Sequence, residues 1–197
     1  AYEWINDNQK VVMITVVETW GSSPKPIGSK MIVNKNKEFY NYTAKKYSLK
    51  YEKRVLKRFL KYCDENKENF DKIVFFYADK QFFDKLVERH YKNLKDNYIK
   101  IINDINYKWF DLHRYLKDNE FVVKNLFDLK LKNIVKCLNL EGYDELEVQG
   151  GTEAFEIAIN HYFEEKNKLE MKKIAEYNYK DCISLYNIYK FLKESYN

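Results

Sequence analysis

The chain predicts a mixed α/β fold in which three antiparallel strands are followed by alternating helices and strands. Three observations carry that expectation. Val11 to Thr19 is a nearly unbroken apolar, β-branched run, suited to a central strand buried on both faces. Two shorter strand-like segments follow, and then amphipathic helical patterns alternate with short apolar segments. The last part of the chain is helical in its period.

Taken in order, the first strand runs into a loop from Gly21 to Gly28 that holds both prolines, Pro24 and Pro26. Ser29 to Val33 and Glu38 to Thr43 are expected to be two further strands, joined by Asn34, Lys35, Asn36 and Lys37. Residues 1–46 thus read as an antiparallel meander, and 47–197 as an α/β and helical part of the same single domain, 1–197. Tyr47 to Asn66 is an amphipathic helix, with Val55, Leu56, Phe59, Leu60 and Cys63 on its apolar side. Lys50, Lys53, Arg54, Lys57, Arg58 and Lys61 line the other side, read either as a solvated face or as a stripe that contacts phosphates. Lys72 to Tyr77 is a short apolar strand. Lys80 to Asn97 is a helix with Phe82, Phe83, Leu86, Val87, His90, Tyr91 and Leu94 in register. On that stripe His90 reads as a core or boundary histidine rather than a ligand. Tyr107 to Leu112 is a further strand, and Leu129 to Leu140, Thr152 to Phe163 and Leu169 to Tyr196 are helical. The acidic stretch from Glu141 to Glu147, in the region punctuated by Gly142, Gly150 and Gly151, reads as a solvent-exposed loop.

Composition narrows the function classes. With 45% hydrophobic and 17% aromatic residues the chain has ample material for a core, which argues against disorder. The longest apolar run, Val11 to Val17, is broken by Thr15 and is far too short to span a bilayer, so no membrane partner is expected. No secretory leader pattern is visible at the N-terminus. Cys63, Cys137 and Cys182 are odd in number and widely spaced, which argues against a disulfide framework and for an intracellular, reducing compartment. His90, His113 and His161 lie far apart, which argues against a structural zinc site. A net charge of +5 leans weakly toward an anionic partner.

The sharpest local signal lies near the C-terminus. Ile174, Tyr177, Asp181, Leu185, Ile188 and Leu192 recur at spacings of 3, 4, 4, 3 and 4, one face of a helix that is apolar except for Asp181. A carboxylate on a core-facing stripe is costly unless it meets a cation, a metal or hydrogen-bond donors. Tyr177 sits one turn before it on the same face. Asp181 is therefore either a satisfied structural acid or half of a Tyr-x-x-x-Asp pair that positions a metal and a water.

Several segments, in order, extend the second reading. They are Val74-Phe75-Phe76-Tyr77-Ala78, Trp109-Phe110-Asp111-Leu112, and Leu129-Lys130-Leu131-Lys132-Asn133-Ile134-Val135. Gly150-Gly151-Thr152-Glu153-Ala154 and Tyr177-Asn178-Tyr179-Lys180-Asp181 follow. Over residues 72–193 the chain resembles the ribonuclease H-like nucleases of the YprB type, relatives of the DEDD exonucleases. The resemblance implies a ribonuclease H-like mixed sheet flanked by helices, with the first strand central and carrying acids at its end. It implies a nucleic-acid substrate and phosphodiester hydrolysis by two Mg²⁺ or Mn²⁺ ions held by four acids. Carried onto this chain, it makes Glu18, Tyr177 and Asp181 the catalytic residues. Glu18 and Asp181 become metal ligands, with Asp111 as a supplementary one. The pattern departs from the family at two acid positions, where Val16 and Gln81 stand. Valine cannot bind a metal and a neutral amide binds poorly, so a catalytically silent fold that binds nucleic acid or a protein is the alternative.

A second, shorter resemblance covers Thr15-Val16-Val17-Glu18-Thr19-Trp20-Gly21-Ser22-Ser23 and Gly28-Ser29-Lys30-Met31. These look like the opening of the XdhC/CoxI family, which helps mature molybdenum enzymes. The Gly-Gly-Cys region that follows in that family is missing here. Maturation of a molybdenum enzyme is thus a minor alternative.

Overall fold

The computed structural model describes residues 11–16, 30–33, 39–42, 44, 48–77, 79–141, 143, 146, 148, 151–164 and 168–195. Strands β1 (Val11–Val16), β2 (Lys30–Val33), β3 (Phe39–Tyr42), β4 (Lys72–Phe75) and β5 (Trp109–Asp111) form one mixed sheet in the order β3-β2-β1-β4-β5. Apolar β1 is central. It pairs antiparallel with β2, Met13 opposite Val33, and parallel with β4, Val12 opposite Ile73. The edges are an antiparallel β2–β3 pair and a parallel β4–β5 pair, Val74 opposite Phe110.

The side chains of β4 alternate between two separate cores, as a strand requires. Ile73 and Phe75 pack on one face against Leu56, Phe59 and Leu60 of α1 (Leu49–Glu65), Phe83 and Leu86 of α2 (Asp79–His90), and Ile101 and Ile105 of α3 (Asp96–Asn106). Val74 packs on the other face against Leu112 and Leu116 of α4 (Leu112–Asp118) and Ile134 and Val135 of α5 (Leu131–Cys137). Leu185, Ile188 and Leu192 of the long α7 (Lys168–Ser195) complete that core. Between α5 and α7 lies α6 (Gly151–Ile159), extended by a π-helical turn at Asn160–Glu164. Helix α7 lies along β1 and β2 and also touches α5 and α6. β4 is thus covered on both faces, which is why it reads as a continuous apolar run.

One predicted helix is two. The expected Lys80–Asn97 helix stops at His90, passes through a short 3-10 turn and an extended Leu94, and restarts as α3. Leu94 is buried, and its stripe spacing carries the apolar period across the break. Asp96 in the first turn of α3 complements the positive end of the helix dipole.

His90 is buried, as a core histidine should be, and a buried acid accompanies it. Glu52 of α1 is 1% exposed. Its Oε1 lies 2.7 Å from His90 Nε2, and Arg89 Nη1 reaches both of its oxygens at 2.8 and 2.9 Å. A buried carboxylate tolerates its site only with such donors. The cluster therefore fixes the start of α1 to the end of α2.

Candidate functional site

The apolar face of α7 is buried as its period requires, Leu185, Ile188 and Leu192 in the core with Val74 of β4 and Ile174 against Ala154 and Ala158 of α6. Asp181 and Tyr177 occupy the same face but keep partial exposure, so they sit at the rim of the core. The Oδ1 of Asp181 accepts a hydrogen bond from the hydroxyl of Tyr143 at 2.7 Å. The Tyr143 ring lies 6.1 Å from that of Tyr177. From α5, the Lys132 Nζ stands 4.7 Å from the Tyr143 ring centre and 5.3 Å from the Tyr177 ring centre, a cation held over two π-faces. Lys180 Nζ of α7 pairs with Glu141 Oε1, tying the segment that carries Tyr143 to the helix that carries Asp181.

Electrostatics follow from this packing. The surrounding protein crowds the Asp181 carboxyl and pushes its pKa up to about 7, against the hydrogen bond from Tyr143 and the charge of Lys132, which both lower it. Burial, with the charge of Asp181 beside them, raises the Tyr143 and Tyr177 hydroxyls well above the ordinary tyrosine range. Both phenols therefore stay protonated at neutral pH, and that of Tyr143 donates to Asp181. One residue after Tyr177, the Asn178 amide is fully buried, and neither its Nδ2 nor its Oδ1 has a hydrogen-bond partner among the described residues.

Of the residues expected from the sequence, Tyr177 and Asp181 come together here. Glu18 lies outside the described residues; Val16 is the last described residue of β1. Asp111 caps α4, its Oδ1 accepting from the Arg114 backbone N–H at 3.0 Å. Gln81 is exposed on α2, and Asp84, on the same helix, pairs with Lys80. On the basic stripe of α1, Arg54 lies over Tyr51, Lys57 over Tyr98 and Arg58 over Tyr42. Lys61 pairs with Glu65 at 3.3 Å, and Lys50 is exposed and Lys53 half-buried.

Two members of the site have no role in the sequence pattern alone. Lys132 falls inside one of the family-like segments, and its Asn133 and Ile134 neighbours give no sign that it turns toward Asp181. Tyr143 falls in the stretch expected to be a solvent-exposed loop. That expectation is corrected: Tyr143 is 6% exposed, and Val148 just beyond it is buried too. Acidic neighbours mask an aromatic ring with apolar area to bury.

Among the described residues, no group of three or more His, Cys, Asp and Glu side chains could hold a metal ion. Around Asp181 they offer a single carboxylate, already accepting a hydroxyl proton. That set does not by itself fit a centre of four acids around two ions.

A family model of the RNase_H superfamily matches residues 27–193, and the chain belongs to that superfamily. The central β1, the mixed sheet and the helices on its faces suit that membership, which suggests a nuclease-type or nucleic-acid-related role. The XdhC and CoxI family model matches residues 4–43, overlapping the first match over β2 and β3. No curated protein matches the chain significantly. Among the described residues, no helix is long and apolar enough to cross a membrane.

Proposed function

We propose that this chain is a nucleic-acid-binding domain of the DEDD exonuclease type, of the YprB branch, in which two-metal hydrolysis is weak or lost. The observation that carries the reading is the Asp181 site. The Tyr-x-x-x-Asp pair stands on the last helix beside the central strand, yet its carboxyl is crowded, hydrogen-bonded to Tyr143 and faced by Lys132. Mg²⁺ or Mn²⁺, if bound, would supply charge stabilisation at a phosphodiester. Asp181 is the ligand that α7 offers, and Glu18 is the partner expected from the first strand. The remaining acids of such a centre have Val16 and Gln81 in their places. What the described residues offer a nucleic acid directly is cationic Lys132 and the hydroxyl of Tyr177, which suit a phosphate oxygen. The XdhC/CoxI match covers a short N-terminal stretch, and no observation favours molybdenum-enzyme maturation over this reading.

The test combines binding with hydrolysis of single- and double-stranded DNA and RNA in Mg²⁺ and Mn²⁺, beside Asp181→Asn. Binding with little or no Asp181-dependent cleavage is expected. Robust cleavage abolished by Asp181→Asn would show that other acids have rebuilt the centre and would overturn the loss of catalysis. Absence of both binding and cleavage would overturn the reading as a whole. In Val16→Asp with Gln81→Asp, Mn²⁺ binding is expected to appear before turnover does.

A further inference from the structure

Beside α5 the chain forms a second feature that the Asp181 site does not use. A cleft of about 420 Å³ is lined by Lys124, Asn125, Phe127, Asn133, Lys136 and Cys137. That volume is within the range of small-ligand sites, roughly 300–1,000 Å³. Phe127 is 95% exposed at this cleft. An aromatic ring left almost wholly in water gives nothing to the core, but it presents a face on which a flat ring can stack. Lys124 and Lys136 have no ion-pair or aromatic partner among the described residues. Asp128, four residues after Lys124, is taken up by the Asn133 Nδ2 at 2.6 Å and by Lys130 at 3.1 Å. The rim between Phe127 and α5 is held in shape. Asn125 takes a left-handed φ of 68°, and its carbonyl accepts from the Cys137 thiol at 3.4 Å.

The cleft also has a fixed relation to Asp181. Lys132 and Lys136 are four residues apart on α5, so they stand on one side of the helix, ~6 Å apart along its axis. Lys132 faces the Tyr143–Tyr177 pair, and Lys136 lines the cleft. The two features are consecutive stations along one helix.

Resting on the nuclease-type reading above, we propose that this cleft is a nucleotide subsite for single-stranded nucleic acid. A base stacks on Phe127, the flanking phosphates meet Lys124 and Lys136, and the strand continues along α5 to Lys132 and Asp181. A stacking platform beside cations that have no partner among the described residues is the arrangement by which single strands are held without sequence preference. A duplex keeps its bases stacked inside and cannot lay one on Phe127 without flipping it out. The strand is therefore single.

The experiment measures equilibrium binding in EDTA, so that no cleavage occurs. Labelled oligo-dT, oligo-rU and a duplex of equal length are titrated into the parent, Phe127→Ala, and Lys124→Ala with Lys136→Ala. Phe127→Ala is expected to weaken single-strand binding on the order of tenfold and to leave its salt slope unchanged. The double lysine variant is expected to lower that slope by roughly 1.4, about 0.7 for each phosphate that a lysine no longer neutralises. Parent-like single-strand binding by both variants would overturn the cleft and leave the nuclease-type reading standing. A parent that binds no nucleic acid would overturn both. Oligonucleotides carrying 5-iodouracil give a second measurement on the parent alone. Crosslinks within residues 124–137 are expected, and crosslinks confined to other segments would overturn the subsite.

Discussion

Burial and charge pull the Asp181 carboxyl in opposite directions, and burial wins. Its pKa of about 7 lies above the ordinary 3.8, so the folded state holds a proton that the unfolded chain has released. The sign follows from linkage: its contribution to stability is fully present below about pH 4 and is lost as pH rises toward 7. The loss is on the order of a few kcal/mol at most, because the residue keeps some contact with solvent. Asp181→Asn has no proton to lose. In EDTA, its stability relative to the parent should rise between pH 4 and pH 7 and then stay level, as read by urea unfolding at each pH. Parallel curves for the two proteins would show that the native carboxylate is fully hydrated. Tyr143→Phe removes the donor that favours the ionised form, so the parent's loss should then extend to higher pH. Asn178 poses the same problem in neutral form. Its amide has no hydrogen-bond partner among the described residues, and a buried amide left so costs about 1–3 kcal/mol.

At the scale of elements, the basic stripe on α1 and the cleft beside α5 make different use of their cations. Arg54, Lys57 and Arg58 lie over tyrosine rings of the protein, and Lys61 has Glu65 one turn away. Lys124 and Lys136 have no such engagement among the described residues. Replacing Lys53, Lys57 and Lys61 by Gln together is therefore expected to reduce the salt slope of nucleic-acid binding by less than the two cleft lysines do. A larger drop from the α1 variant would make that helix the main phosphate contact. The same elements show what the sequence could express. α1, α7 and β4 are legible because each buries a continuous periodic face, and Asp181 stands out because it interrupts one. The break between α2 and α3 is hidden because Leu94 keeps the stripe's spacing while its backbone turns. Lys132 and Tyr143 are hidden for another reason. Their roles depend on α5 and Tyr143 packing against α7, a relation among elements that no local period records. The Glu52–Arg89–His90 cluster is half legible, since the histidine's burial follows from its stripe while its partner sits 38 residues away.

Across the whole molecule, the sheet divides the labour. One core lies under α1, α2 and α3 and, among the described residues, includes none of the Asp181 site. The other, under α4, α5 and α7, holds the helices that carry Lys132, Tyr177 and Asp181. Close-packed interiors transmit small volume changes to whatever they support, so damage to each core should read out differently. Ile105 of α3 and Ile134 of α5 allow a matched comparison, being 2% and 0% exposed on opposite faces of the sheet. Truncating either to Ala removes the same atoms and should cost about 2–5 kcal/mol of stability. Binding is then measured at low temperature on the folded fraction. Ile105→Ala should bind single strands like the parent, because nothing it supports reaches the site. Ile134→Ala should bind more weakly, because it loosens the one helix that holds both Lys132 and Lys136. Equal weakening in both variants would mean that the sheet couples its two faces rigidly and that the site belongs to the whole fold. Weakening in Ile105→Ala alone would place the binding surface over α1 and α3 and move the phosphate path to the basic stripe.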